Sequence, residues 1–474
     1  VSDNKGKFAY GRQVLIGAGS GFMALVIIIG GFTLSGGVKN QAAGTTTPTQ
    51  SSAPSASPTN SAGLARDCSV ASLLADPKLG NFYGSVMNAQ TGELMLDVNG
   101  NQAKPTASVM KLITAVAALQ VLGPNYTVTT NVYADPSTPG TIVLVGAGDP
   151  TLSRLGPGLQ SVYDNGPKLS DLAVQVTSFM RATPISNIIL DSSYFADSGW
   201  LPDVKRTEMT GGYQSVVTAL QADGDRNNPQ AETSPRSADP VGHVGIWFKR
   251  ALGDIGSAAT ITKGTLPAGV SSANVIASVS SQPISKWISH MLLVSDNTEA
   301  EYLARLVSKK EGFDGSFSSL DAALKKALTN AGIDSTGVVI HDGSGESMTN
   351  AASPQFINSL LKFVYSSQGT FKQIMQDLPV AGESGSLQSR FTGANKDAVG
   401  HIFAKTGWTD IEYSLAGLIK SKDGTDLLFT FYALGNVKDN AKTSLDNLAT
   451  AVYRCGDRLS SETTVASPSP SPTN

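Results

Sequence analysis

Three short motifs constrain this chain most: Ser108-Val109-Met110-Lys111, Ser295-Asp296-Asn297 and Lys405-Thr406-Gly407. Each sets a nucleophile, base or anion-binding group beside a partner, and together they describe one acyl-transfer site. The fold must therefore bring together three segments that lie far apart in sequence. The first motif follows Lys104-Pro105-Thr106-Ala107 and opens the apolar run Leu112-Ile113-Thr114-Ala115-Val116-Ala117-Ala118-Leu119, which suits a helix. A three-residue spacing on a helix sets a serine hydroxyl beside a lysine amine, so Lys111 is placed to take the proton as Ser108 attacks a carbonyl. Taken singly, each motif has a plainer explanation: a helix residue beside a solvent-facing lysine, a polar turn, or the end of a strand. Their order and context carry the reading. Ser295-Asp296-Asn297 leads straight into Thr298-Glu299-Ala300-Glu301-Tyr302-Leu303, and Lys405-Thr406-Gly407 ends the apolar strand pattern that starts at His401.

The N-terminal stretch speaks to the compartment. No charged residue lies between Arg12 and Lys39, and Val26-Ile27-Ile28-Ile29 sits near the middle of a run long enough to cross a bilayer. Lys5, Lys7 and Arg12 precede it, which predicts a cytoplasmic tail (1–12), a membrane anchor (13–38) and an outward-facing body. The competing reading is a signal peptide cleaved near Gln41-Ala42-Ala43-Gly44; both export the protein. Residues 39–64 are almost entirely Thr, Ser, Ala, Pro and Gly and read as a flexible tether. The 458–474 tail repeats that composition, leaving a folded body of about 65–457. Cys68 and Cys455 lie near opposite ends of that body, either as one disulfide or as two buried thiols, and no redox CxxC motif is present. With 474 residues, 41% of them hydrophobic, the chain can bury a large core in two or more domains or subdomains. A net charge of -3 gives no reason to expect nucleic acid as a partner.

Phe82 to Asn88, the Thr91-Gly92 turn and Glu93 to Val98 read as a hairpin delivering the chain to the serine-bearing helix. Towards the other end, His401 to Gly407, Ser414 to Ile419 and Leu427 to Leu434 read as strands, the last two joined by the turn Lys422-Asp423-Gly424, with a final helix over about 442–453. The expected class is α+β, an antiparallel sheet flanked by helices. Between Lys111 and Ser295 lie 183 residues, with strand-like segments at Thr141 to Val145, Asn187 to Asp191 and Asn274 to Val279.

In these motifs the chain resembles the penicillin-binding D-alanyl-D-alanine carboxypeptidases of the DacB type, the low-molecular-mass class C group of peptidase family S13. The similarity extends over 68–456. It includes Gly146-Ala147-Gly148-Asp149-Pro150-Thr151-Leu152, Asp342-Gly343-Ser344-Gly345 and Pro379-Val380-Ala381-Gly382-Glu383-Ser384-Gly385-Ser386-Leu387. The resemblance implies the transpeptidase fold shared with serine β-lactamases. Its catalytic domain would be split into 65–134 and 284–457 around an inserted accessory region at 135–283. It implies Ser108 as nucleophile, Lys111 as its base, and Ser295 as a relay between Lys111, Lys405 and the leaving amine. Asn297 would hydrogen-bond the substrate amide, and Lys405, with Thr406, Gly407, Trp408 and Thr409, would line the site of the terminal carboxylate. The backbone N–H groups of Ser108 and Trp408 would form an oxyanion hole. The substrate implied is the D-Ala-D-Ala end of a peptidoglycan stem peptide, with β-lactams as covalent inhibitors and no cofactor. No metal is expected, since His243, His290, His341 and His401 show no zinc-ligand spacing. One position departs from the pattern: a hydroxyl residue commonly follows Lys-Thr-Gly, and here it is Trp408, whose indole would narrow the cleft or stack on the stem peptide. The competing readings are an endopeptidase that cuts peptidoglycan crosslinks, a serine β-lactamase and a non-catalytic wall-binding protein. The oligomeric state is left open.

Overall fold

The computed structural model describes residues 66–462, apart from 182 and 198. The predicted tail, anchor and tether (1–12, 13–38 and 39–64) and the chain after 462 lie outside the described residues. Among the described residues no helix is long and apolar enough to cross a membrane.

Two five-stranded sheets organise the body. In the first, β1 (Asn81–Asn88), β2 (Leu94–Val98), β8 (Ile402–Thr409), β9 (Glu412–Lys420) and β10 (Asp426–Leu434) lie in the order β2-β1-β10-β9-β8, every neighbour antiparallel. The first and last strands of the described body thus pair at the centre, with Val86 opposite Phe429. The central strands are nearly continuous apolar runs because both faces are covered. Successive side chains point to opposite faces. Leu427, Phe429, Phe431 and Ala433 therefore pack with Leu445, Leu448 and Val452 of the last helix (Asn440–Cys455), while Leu428 and Tyr432 join the helical core on the other face.

At the heart of that core is the Met110–Val121 helix, in which every residue from Met110 to Leu119 is buried. A helix that is apolar all round belongs inside a protein. The Ile284–Val294, Asn297–Lys310 and Leu320–Asn330 helices surround it. Ser108 enters from the sheet side, in the short turn Ala107–Val109 that precedes this helix.

The second sheet has the order β6-β5-β4-β3-β7, from β3 (Thr129–Ala134), β4 (Thr141–Val145), β5 (Asn187–Asp191), β6 (Thr260–Lys263) and β7 (Val275–Ser280). Strands β4, β5 and β6 run parallel, whereas β3 is antiparallel to both β4 and β7. The crossovers carry the Leu169–Met180 and Pro240–Ala251 helices, which pack on the sheet, as parallel connections require. Because β3 pairs inside it, this sheet begins at Thr129, ahead of the residue 135 at which the inserted region was expected to start.

Cys68 and Cys455 form a disulfide across 387 residues of sequence, so the bridged reading holds. Beside it the body runs further than expected. Leu459 is fully buried, Cys68 N–H donates to Arg458 O at 3.0 Å, and Ser460 N–H donates to Cys68 O at 2.9 Å. The structured body therefore continues through Ser460, past the boundary expected at 457, because Leu459 completes the core under the last helix.

Candidate active site

The three motifs converge on one cleft. Lys111 is fully buried, and its Nζ lies 2.8 Å from Ser108 Oγ, 2.6 Å from Asn297 Oδ1 and 2.7 Å from the Ser344 carbonyl oxygen. Three acceptors match the three protons of an ammonium. Burial nevertheless lowers its pKa to about 8, against the opposing pull of Glu346, Asp342, Glu301 and Asp296. Lys405, also fully buried, donates to Ser295 Oγ at 2.7 Å and to the Thr406 carbonyl at 2.8 Å. Burial and then the charge of Lys111 push it well below the ordinary lysine value. Burial is thus what tunes Lys111.

Local backbone explains why these groups can meet. Ala107 sits at φ 43°, a left-handed conformation unusual for alanine that turns the chain into the serine helix. Strand β8 approaches Ser108 closely only because residue 407 is glycine. A Cβ there would lie 2.1 Å from Ser414 Oγ, 2.8 Å from Ala107 Cβ and 2.9 Å from Ser108 N. β8 is an edge strand, and Ala404 N–H donates outward to Pro379 O at 3.0 Å. Alternate strand residues turn their backbone groups to the same edge, so the Thr406 and Trp408 N–H groups face the cleft side as well. The N–H of Trp408 and that of Ser108, beside Gly407, are therefore placed as a pair of donors.

Ser295 ends the Ile284–Val294 helix at φ 67° and reverses the chain into the Asn297–Lys310 helix. Asp296 caps that second helix by accepting from Glu299 N–H at 2.8 Å. Asp296 is itself held by Arg226, which is 1% exposed and donates its other terminal nitrogen to Tyr163 Oη at 2.6 Å. Burial would raise the Asp296 pKa, but the Arg226 and His290 charges prevail and hold it well below the carboxylate range. His290, bonded to Glu299 at 2.7 Å and Glu232 at 3.2 Å, completes the network behind the motif. On the far side of Lys111, Glu301 accepts the N–H groups of Gly343 and Ser344 at 3.1 and 2.9 Å, which aims the Ser344 carbonyl at the lysine.

The cleft has a volume of about 420 Å³, and Ser108, Ser295, Asn297, Thr406, Gly407, Trp408 and Thr409 all line it. Two expectations shift in detail. Among the described residues Ser295 bonds to Lys405 but not to Lys111, whose bond goes to Asn297 instead. Asn297 is occupied at both ends, since its amide nitrogen donates to Glu346. Trp408 is 48% exposed and meets Tyr213 of the accessory region edge-on, ring centroids 6.4 Å apart. The Thr409 hydroxyl is buried without a partner. Cys68 and Cys455 take no part in the cleft lining.

Sequence reasoning assigned no role to several residues found here. Ser386 contacts Thr406 Oγ1 at 2.7 Å through its hydroxyl, and Ser344, Glu346, Arg226 and Tyr213 surround the motifs. Ser344 and Ser386 lie within segments already noted for their resemblance; Glu346, directly after one of them, carried no signal of its own.

A serine hydroxyl bonded to a buried lysine of lowered basicity, beside a strand edge offering free N–H groups, is the arrangement of a serine acyl-transfer enzyme. The family model described as the D-Ala-D-Ala carboxypeptidase 3 (S13) family matches residues 67–241 and 226–453. Carboxypeptidase DacB of Mycolicibacterium smegmatis is 30% identical over 390 residues, 82% of this chain and 83% of that protein. A carboxypeptidase of Mycobacterium tuberculosis is 32% identical over 391 residues, with the same coverage of both. Among solved structures, penicillin-binding protein 4 (dacB) of Haemophilus influenzae matches with a TM-score of 0.65 at 19% identity, covering 79% of this chain and 95% of that one. The chain belongs to the S13 D-Ala-D-Ala carboxypeptidase family.

Proposed function

We propose that this protein is a serine D-alanyl-D-alanine carboxypeptidase that removes the terminal D-Ala of peptidoglycan stem peptides through an acyl-enzyme on Ser108. The observation that carries this is the 2.8 Å bond between Lys111 Nζ and Ser108 Oγ inside a cleft shared with Ser295 and Thr406. Neutral Lys111 takes the proton of Ser108 as its oxygen attacks the penultimate carbonyl. The developing oxyanion is received by the N–H groups of Ser108 and Trp408. Lys405 sits where its amine would meet the terminal carboxylate, whose negative charge would favour the ammonium form, with the Thr406 and Ser386 hydroxyls beside it. Ser295, bonded to Lys405, delivers a proton to the departing amine. Water then releases the shortened peptide.

Family membership and the carboxypeptidase names of the mycobacterial relatives support this reading. The same nucleophile would be acylated by β-lactams; a further structure of the Haemophilus influenzae protein, TM-score 0.59, is a complex with a β-lactam. The apolar run at 13–38 and the Cys68–Cys455 disulfide support a body facing the cell wall from the outer side of the membrane. The test is D-alanine release from a pentapeptide ending in D-Ala-D-Ala, with Ser108→Ala alongside. Release that is lost in the variant is the expected result. No release by either protein, with cleavage of crosslinked muropeptides by the wild type alone, would make it an endopeptidase.

A further inference from the structure

Among the carboxyl groups lining the cleft, which take no part in the steps above, Glu346 is the one bonded to a motif residue. Glu346 follows the Ser344-Gly345 turn and lines the same cavity as Ser108. Its Oε1 accepts a hydrogen bond from Asn297 Nδ2, while Asn297 Oδ1 accepts from Lys111 Nζ at 2.6 Å. A single amide thus bridges the acylation base and a second acid-base group. On its other side Glu346 borders a recess of about 10 Å³, also lined by Gln214, Glu301, Asp342 and Ser344, which is room for about one water. Ser108 does not line that recess, so a water attacking its acyl group must stand on the cleft side of Glu346.

We propose that Glu346 is the general base of the deacylation step, drawing the proton from the water that attacks the acyl group on Ser108. The step builds on the proposed Ser108 acyl-enzyme and balances as follows. The water oxygen bonds to the acyl carbon and its proton passes to the Glu346 carboxylate. The carbon–Oγ bond to Ser108 then breaks, the Ser108 oxygen takes back from Lys111 the proton it gave up in acylation, which leaves Lys111 neutral again, and the proton held by Glu346 passes to solvent. The shortened peptide leaves as its free acid.

The surroundings suit the task. Burial, then the charges of Glu208 on the accessory region and Asp342 on the same turn, push the Glu346 carboxyl up to about 7. Lys111 from the serine helix and the Asn297 hydrogen bond work the other way. A general base is most effective when its pKa lies near the working pH. Such a base is the carboxylate, so deacylation should weaken as pH falls through about 7.

The test is Glu346→Gln, which keeps the shape and an acceptor for Asn297 but cannot take a proton. A thioester of an N-acyl amino acid is the substrate, since its good leaving group makes deacylation the slower step. Acyl-enzyme is followed by intact-protein mass and by stopped flow from pH 5.5 to 9. At pH 9 acylation should stay within about threefold of wild type while deacylation falls about 100-fold, so that acyl-enzyme accumulates. The wild-type acid limb near pH 7 should be absent, and Glu346→Asp should restore part of the deacylation rate. Clearance at the wild-type rate, retention of the acid limb, or a parallel fall in both steps would overturn the proposal. Failure of the wild type to form any adduct would instead overturn the Ser108 acyl-enzyme.

Discussion

The lowered basicity of Lys111 has a direct kinetic consequence. A lysine at its ordinary pKa of about 10.4 would be only about 0.04% neutral at pH 7. At a pKa of about 8, roughly a tenth of the enzyme carries the free amine at pH 7 and roughly a hundredth at pH 6. Burial therefore multiplies the competent fraction by about 200 at neutral pH. Raising the pH deprotonates Lys111, so the second-order rate of acylation by benzylpenicillin should climb about tenfold per unit up to about pH 8 and then level off. Stopped-flow measurement from pH 5.5 to 10, with adduct on Ser108 confirmed by mass, gives the profile. The opposing pull of Glu346 adds a second expectation: Glu346→Gln should move the acylation limb to lower pH, because one carboxylate that favours the ammonium is gone. A profile flat from pH 6 to 9, or one still rising at pH 10, would refute the assignment of Lys111 as a base tuned by burial.

Gly407→Ala should lower acylation about a hundredfold with little change in circular dichroism, because the new Cβ meets Ser414, Ala107 and Ser108 at 2.1 to 2.9 Å and displaces β8. Arg226→Met leaves buried Asp296 without its cation and should cost about 3–5 kcal/mol in urea unfolding; adding Asp296→Asn should recover part of it. Replacing both Cys68 and Cys455 by serine releases a closure spanning 387 residues and should cost about 2–5 kcal/mol in the same assay. An unchanged urea midpoint in either experiment would show that the interaction is not stabilising.

What the sequence made legible follows from how each segment is buried. β9 and β10 read as strands because sheet residues covered on both faces form apolar runs, and the turn between them carries Asp423-Gly424. The serine helix was legible for a similar reason, every position from Met110 to Leu119 being inside. β6 was not, since Thr260-Ile261-Thr262-Lys263 is a mostly exposed edge whose pattern resembles a loop. Nor was the parallel pairing of β4, β5 and β6, because strand patterns do not encode the direction of a partner 40 or more residues away. The motifs named Ser108, Lys111, Ser295 and Lys405, yet Glu346 and Arg226 act through partners 49 and 70 residues distant, and nothing in their own neighbourhoods marks them.

Those distant partners change what the accessory region is for. Its role was not legible in the sequence, yet its Arg226 and Tyr163 hold Asp296, the residue that caps the helix beginning with Asn297. Its Lys205 pairs with Asp410 just past β8, its Tyr213 meets Trp408, and its Asp203 bonds to Ser347 beside Glu346. Each motif flank around the cleft except that of the serine helix is thus tied to the insertion. Asp296 is buried and charged, and the cation bonded to it comes from the insertion, with His290 of the catalytic half adding its charge nearby. The 183-residue interval between Lys111 and Ser295 therefore carries part of the active site's electrostatic support. Cutting it down to a short crossover would strand a buried carboxylate next to Ser295 and Asn297.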